Sequence, residues 1–335
     1  MKKLFSLAVA AVCLVASAVF AEEGAEPKFV RYVGDDKVGK LETVVVSMKR
    51  GDVKVDLVGA VHIAEKSYYA ELTNLFKTYQ VLLFELVDGQ SIKEKLNGKK
   101  DDAPEKDKDL AFQLIGGMMK GTARYFNLQH QMDGIDYRTE NFVHADVTME
   151  QFKNLQKDKG ETFFSVFQDS ARAQVKKGAK LPQPTGGQLL LGLLGDSRGM
   201  KAWVARSLAG SGNALDGSMS EDGKGTVIIT ERNKVALATL EKQLAAGKTN
   251  IGIFYGAGHL ADMEARMVKM GFERTGEKWM TAWDIKPNEV QFMASAILAE
   301  SRLDFSAGAA LATASNALIR PMTVPSRPSR VAILA

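Results

Sequence analysis

Cysteine is nearly absent from this chain. The single one, Cys13, lies in MKKLFSLAVAAVCLVASAVFA, residues 1–21. There a basic start, an apolar run and Val19-Phe20-Ala21 form the pattern of a secretory leader cut after Ala21. The expected mature chain has no thiol, which excludes disulfides and thiolate metal sites and leaves His, Asp and Glu as the only metal donors. The expected location is secreted or periplasmic.

An excess of one charge is lacking too. Against 40 Asp and Glu stand 44 Lys and Arg, and loss of Lys2 and Lys3 with the leader leaves a surplus of two. The basic residues are dispersed, so no nucleic-acid partner is expected. After the leader no apolar run is long enough to cross a membrane; in the last fifty residues Glu300, Arg302 and Asp304 interrupt the one candidate. A mature chain without a stable membrane span follows. Histidine is also scarce, at four.

What is present reads as α/β. Thr43–Ser47 and Val53–Val58 predict two strands around a turn at Lys49–Asp52. Glu65–Tyr79 carries Tyr68, Tyr69, Leu72, Leu75 and Phe76 at helical spacing, and Val81–Leu86 is a continuous apolar run expected of a strand covered on both faces. That is a βαβ unit whose last strand is expected to neighbour the first. Lys93–Asp109 is almost wholly charged and predicts a solvated loop. From Leu110 to about Leu208 the pattern is helical, interrupted at Gly178–Gly187, and Gly210–Gly225 is Gly-rich and polar. Strand character returns at Thr226–Thr230 and Ile251–Tyr255, with helices over about 231–246 and 261–270, and Glu273–Asp284 predicts one or two closing strands. The expected architecture is a central mixed, largely parallel sheet flanked by helices. Two α/β halves build it, in one domain over 22–290 with a helical insertion at about 108–210. A tail follows at 291–335.

Two distant stretches share one local frame. Gly59-Ala60-Val61-His62-Ile63-Ala64-Glu65 and Gly256-Ala257-Gly258-His259-Leu260-Ala261-Asp262 each place a histidine just after a predicted strand. In open α/β sheets the carboxyl ends of strands line the ligand crevice. Glu85, near the end of the apolar run VLLFEL, is a costly carboxylate unless paired or bound to a cation. Two imidazoles and a carboxylate at one sheet edge match a catalytic metal site with a position left for water or substrate. Gly59, Gly256 and Gly258 permit tight turns and close approach to the backbone. Glu65 and Asp262, three residues after each histidine, suit the first turn of a helix or the orientation of the imidazoles. His130 and His144 lack such a setting and read as structural.

These residues, with ITERNKVALATLEKQL and YGAGHLADMEARMVKMGFER, resemble the TraB/GumN/PrgY family, which includes the Tiki-type proteins. The resemblance covers about residues 42–284 and rests on His62, Glu85, Arg232, Asn233 and His259. Gly134-Ile135-Asp136 is similar to a segment of the GumN branch. It implies the fold of erythromycin esterases and ChaN-like haem-binding proteins, and an active site of both histidines and the glutamate. From position alone, Arg232 suits a substrate carboxylate, an oxyanion, or a salt bridge to Glu85, and Asn233 suits donation to the same substrate oxygen.

Three functions follow as expectations. The first is a metal-dependent hydrolase, plausibly a peptidase as the Tiki resemblance implies, in which His62, Glu85 and His259 hold manganese, cobalt, zinc or iron against a peptide or small-molecule substrate. The second is a metal-free esterase-like hydrolase with His62 as base, oriented by Glu85, and with His259 and Arg232 stabilising developing charge. The third is a non-catalytic protein that binds haem or a peptide.

Overall fold

The computed structural model describes residues 29–89, 94, 110–162, 165–166, 184–214 and 225–287. The expected leader at 1–21, the expected tail at 291–335 and nearly all of Lys93–Asp109 lie outside the described residues, as do most of Gly178–Gly187 and Gly210–Gly225. Residues up to Lys286 form one unit; the second, Pro287–Ala335, has only Pro287 among the described residues.

In chain order the strands are β1 (Val30–Gly34), β2 (Gly39–Arg50), β3 (Val53–Ala60), β4 (Ile63–Ala64), β5 (Val81–Phe84), β6 (Gln129–His130), β7 (Phe142–His144), β8 (Asn250–Gly256) and β9 (Glu273–Ile285). The helices are α1 (Lys66–Phe76), α2 (Leu110–Tyr125), α3 (Gln131–Gly134), α4 (Met149–Lys159), α5 (Gly186–Leu193), α6 (Arg198–Ala214), α7 (Arg232–Ala245) and α8 (Leu260–Lys269).

Among the described residues β1, β2, β3, β5, β7, β8 and β9 form one sheet. The expected hairpin is there: β2 and β3 pair antiparallel with Arg50 opposite Val53, and Gly51 at φ +56° takes the left-handed turn position. β9 runs antiparallel along the far edge of β2, and β1 pairs with the opening residues of β2. β3, β8, β5 and β7 then lie side by side, all parallel. The sheet is thus mixed and flanked by helices, as expected.

Alternation along these strands divides the core. Val45, Val58, Leu82 and Phe84 face one layer with Tyr68, Tyr69, Leu72 and Phe76 of α1 and Trp203 of α6. Val44, Val46, Leu57, Leu83 and Ile253 face the other, with Leu240 of α7 and Met263 and Met267 of α8. Side chains that alternate across a pleat allow both faces to be covered, and each fully buried aliphatic or aromatic side chain contributes about 1.5–3 kcal/mol.

Four expectations are corrected. β5 neighbours β8 rather than β3, because the C-terminal strand inserts between the two strands of the N-terminal βαβ unit. Val227–Glu231 is a π-helical turn, not a strand: Thr226 accepts from the Ile229 N–H, and Val227 packs with Val147 and Phe152 in a small satellite core. Burial there overrides the local β preference of Val-Ile-Ile. β7 adds a strand inside the stretch read as helical. Finally, the helical patterns are broken twice. Gly160 caps α4 at φ +63°, and Gly195 at φ +101° separates α5 from α6.

Candidate functional site

The parallel order sets the site. β3, β8, β5 and β7 all end at one edge of the sheet, and His62, His259, Glu85 and Asp146 follow their last residues within three positions. The edge therefore gathers residues from both halves of the chain.

Glu85 sits at the centre, with its side chain 11% exposed. Arg232 Nη2 donates to its Oε1 at 2.7 Å and the Gly256 N–H donates to its Oε2 at 2.5 Å. A Cβ at residue 256 would stand 3.3 Å from Glu85 Oε2, a tight contact that glycine avoids. Burial alone would raise the Glu85 pKa. The charges of Arg232, His259 and His62 and the Gly256 N–H outweigh it and hold the carboxyl at about 2. Glu85 is ionised at neutral pH.

Arg232 is buried and faces a second carboxylate. Its Nε and Nη2 donate to Asp146 Oδ1 and Oδ2 at 2.9 and 2.6 Å. This forked geometry is among the stronger charge-assisted arrangements. Of the roles open to Arg232, the salt bridge to Glu85 is the one formed, with the guanidinium committed to Asp146 and Glu85. Asp146 escaped the sequence reading. Its only signal was an acid directly after Phe142-Val143-His144-Ala145, a short stretch that His144 interrupts, unlike the continuous apolar run before Glu85.

His259 is 5% exposed. Asn233 Nδ2 donates to the His259 carbonyl at 3.0 Å and to Asp262 Oδ2 at 2.8 Å, so Asn233 Oδ1, 2.7 Å from His259 Nδ1, is an acceptor. This network assigns the proton to Nδ1 and leaves a lone pair on Nε2, which faces Glu85 Oε1 at 3.5 Å. Burial lowers the His259 pKa to about 4 against the pull of Glu85, so the ring is neutral at pH 7. Asn233 thus orients an imidazole, and its amide N–H groups are not directed at a substrate oxygen. Asp262, held in turn by Arg266 at 2.7 Å, extends the chain to α8.

His62 is exposed. It lies near enough to Glu85 and His259 to lower both pKa values. Its Nδ1 is 3.3 Å from Gln131 Oε1. Gln131 is the second residue that the sequence reading missed. Glu65 pairs with Lys201 at 2.8 Å.

The other two histidines have local partners. His130 accepts from the Met132 N–H at the start of α3, at 3.2 Å. His144 Nε2 is 2.8 Å from the Leu86 carbonyl oxygen, and its ring packs on Phe84.

The donor chemistry suits a divalent cation, since an imidazole lone pair and an ionised carboxylate face each other with a second imidazole close by. Among the described residues, however, no group of three or more His, Cys, Asp or Glu side chains already stands in metal-holding geometry. His62 is the exposed member of the three, with its Nδ1 at 3.3 Å from Gln131 Oε1. Among the described residues no helix is long and apolar enough to cross a membrane. No family model matches the chain, and no curated protein or solved structure does.

Proposed function

We propose that the chain is a metal-dependent hydrolase, with His62, Glu85 and His259 as the residues that would hold a divalent ion of the manganese, cobalt, zinc or iron class. The observation that carries this reading is the buried contact between His259 Nε2 and Glu85 Oε1 at 3.5 Å. A neutral imidazole lone pair beside an ionised carboxylate is an electron-rich pair that a cation completes. When bound, such an ion supplies Lewis-acid polarisation and lowers the pKa of water.

The chain's own residues do the rest. Arg232 and the Gly256 N–H fix Glu85 and keep it ionised, the form in which a carboxylate ligates a cation. Asn233 fixes the His259 ring, and His62 stands on the open side, where substrate arrives. The substrate class we favour is a peptide or a small acyl compound, an extension of the Tiki-type resemblance. The test is elemental analysis of protein beginning at Glu22, alongside His62→Ala and His259→Ala variants, followed by a peptidase and esterase screen. About one equivalent of transition metal, lost in both variants together with turnover, is expected. Full activity in either variant would overturn the reading.

One observation favours a second, metal-free reading. Both Glu85 oxygens already have donors, so Glu85 can serve as a fixed counter-charge while His62 acts as general base. Turnover that survives exhaustive chelation selects this alternative.

A further inference from the structure

The two histidines each meet a carboxamide, and the second holder has a sequence origin that the hydrolase reading leaves unexplained. His259 Nδ1 meets a carboxamide oxygen whose own amino group is occupied. His62 meets a carboxamide as well, held by fewer bonds. Gln131 Nε2 donates once, to the Tyr137 hydroxyl at 2.8 Å, and Gln131 Oε1 faces His62 Nδ1 at 3.3 Å.

Gln131 is brought there by a built arm. β6 pairs with β4 so that His130 stands opposite Ile63, and the Gln131 N–H donates to the His62 carbonyl at 2.8 Å. Gly134 closes the arm on α1: a Cβ there would come within 2.6 Å of the Tyr69 ring, so a larger residue is excluded. Tyr69 itself donates to the Val61 carbonyl at 3.2 Å, next to His62. Ile135 and Tyr137 are buried, and the Tyr137 ring lies 5.1 Å from Phe84. The Gly134-Ile135-Asp136 segment thus has a physical role, which is to seat residue 131.

Burial gives the second half of the argument. Gln131 is 7% exposed within a layer that contains Met132, Ile135, Tyr137 and Phe84. A buried carboxamide is costly when its hydrogen bonds are unmade, so an apolar residue would suit this layer better unless the amide has a task.

We propose that Gln131 is the positioning residue of His62. Its oxygen holds the proton on His62 Nδ1 and thereby presents the Nε2 lone pair to the site, as Asn233 does for His259. The proposal deepens the hydrolase reading by naming what sets the orientation of the exposed histidine, and it rests on that reading only for its functional consequence.

The experiment is long-range proton–nitrogen NMR of ¹⁵N-histidine-labelled protein, treated with chelator and held at mildly alkaline pH, where imidazoles are neutral. Four histidines make the spectrum assignable with single His variants. His62 is expected to show a protonated Nδ1 and a lone-pair Nε2, although a free neutral imidazole favours the opposite tautomer. Gln131→Leu is expected to shift His62 towards that opposite tautomer and leave His259 unchanged, whereas Gln131→Glu, which keeps an acceptor, preserves the parent pattern. Should Gln131→Leu fail to fold, the parent spectrum decides by itself: a protonated Nε2 on His62 overturns the proposal. So does a folded Gln131→Leu variant with the parent His62 tautomer. No metal or substrate enters this measurement, so absence of turnover would count against the hydrolase reading without touching the positioning result.

Discussion

His62 and His259 occupy similar sequence frames and nearly opposite settings. His259 lies at the end of the central strand β8, buried, with Asn233 and Asp262 behind it and Glu85, Arg232 and Asp146 in front. His62 lies at the end of β3, exposed, with a single carboxamide behind it. One site is therefore half rigid and half open. A preorganised half keeps charge in place without reorganisation, and an exposed half admits substrate or metal. Each test below acts on one half and asks whether the other responds.

The largest effect belongs to the buried charges. Arg232→Met leaves Asp146 and Glu85 without their shared cation, and removal of one partner from a buried ion pair typically costs about 3–5 kcal/mol. Urea denaturation should show that loss. The Asp146→Asn variant combined with Arg232→Met should recover part of it, because the two residues share one network. A loss below about 1 kcal/mol for Arg232→Met would mean the rigid half does not depend on its charges.

Acid should act next, and on the same half. The folded pKa of His259 is about 4 against an ordinary 6.5, so below 6.5 the unfolded chain binds the proton more readily than the folded one. The contribution is present above pH 6.5 and is lost as pH falls towards 4, by roughly 2–4 kcal/mol for chelator-treated protein. Glu85 follows the same sign, its contribution disappearing from about 4.5 down to about 2. In His259→Gln the loss between pH 6.5 and 4 should largely vanish. An unchanged slope there would assign the acid sensitivity to other groups.

Asn233→Leu comes third, at about 1–3 kcal/mol, since it leaves the His259 Nδ1–H and the His259 carbonyl without their partner in the interior. The His259 ring should lose its fixed tautomer while His62 keeps its own. Coupled changes at both rings would show that the two halves are not separate.

How far this division was legible in the residues depends on range. Strands β2, β3, β5 and β8 announce themselves because burial on one or both faces imposes a local pattern, and the site histidines and Glu85 are legible because they end such strands. The interposition of β8 between β3 and β5 has no local signature, since strand order is a long-range property of the fold. β7 is three residues long, too short for a period to show. Val227–Glu231 carries strand-forming residues but finds a satellite core in place of a strand partner. Asp146 and Gln131 acquire their roles only through partners 86 and 69 residues away, which no window of sequence contains.

The smallest effect on stability should fall on the open half. His62→Ala removes an exposed ring with one long hydrogen bond, and surface changes of that kind usually stay within about 0.5 kcal/mol. Gln131 Nε2 keeps its Tyr137 partner in that variant, and Gln131 Oε1 loses only the one long hydrogen bond at 3.3 Å. Turnover, by contrast, should be abolished, and metal retention with it, because the proposed hydrolase reading makes His62 a metal donor. Paired denaturation and activity measurements on His62→Ala and His259→Ala read the comparison directly: the first should separate stability from function and the second should lower both. Substantial unfolding in His62→Ala would show that the exposed frame carries fold energy after all, and the distinction between a rigid and an open half would then fail.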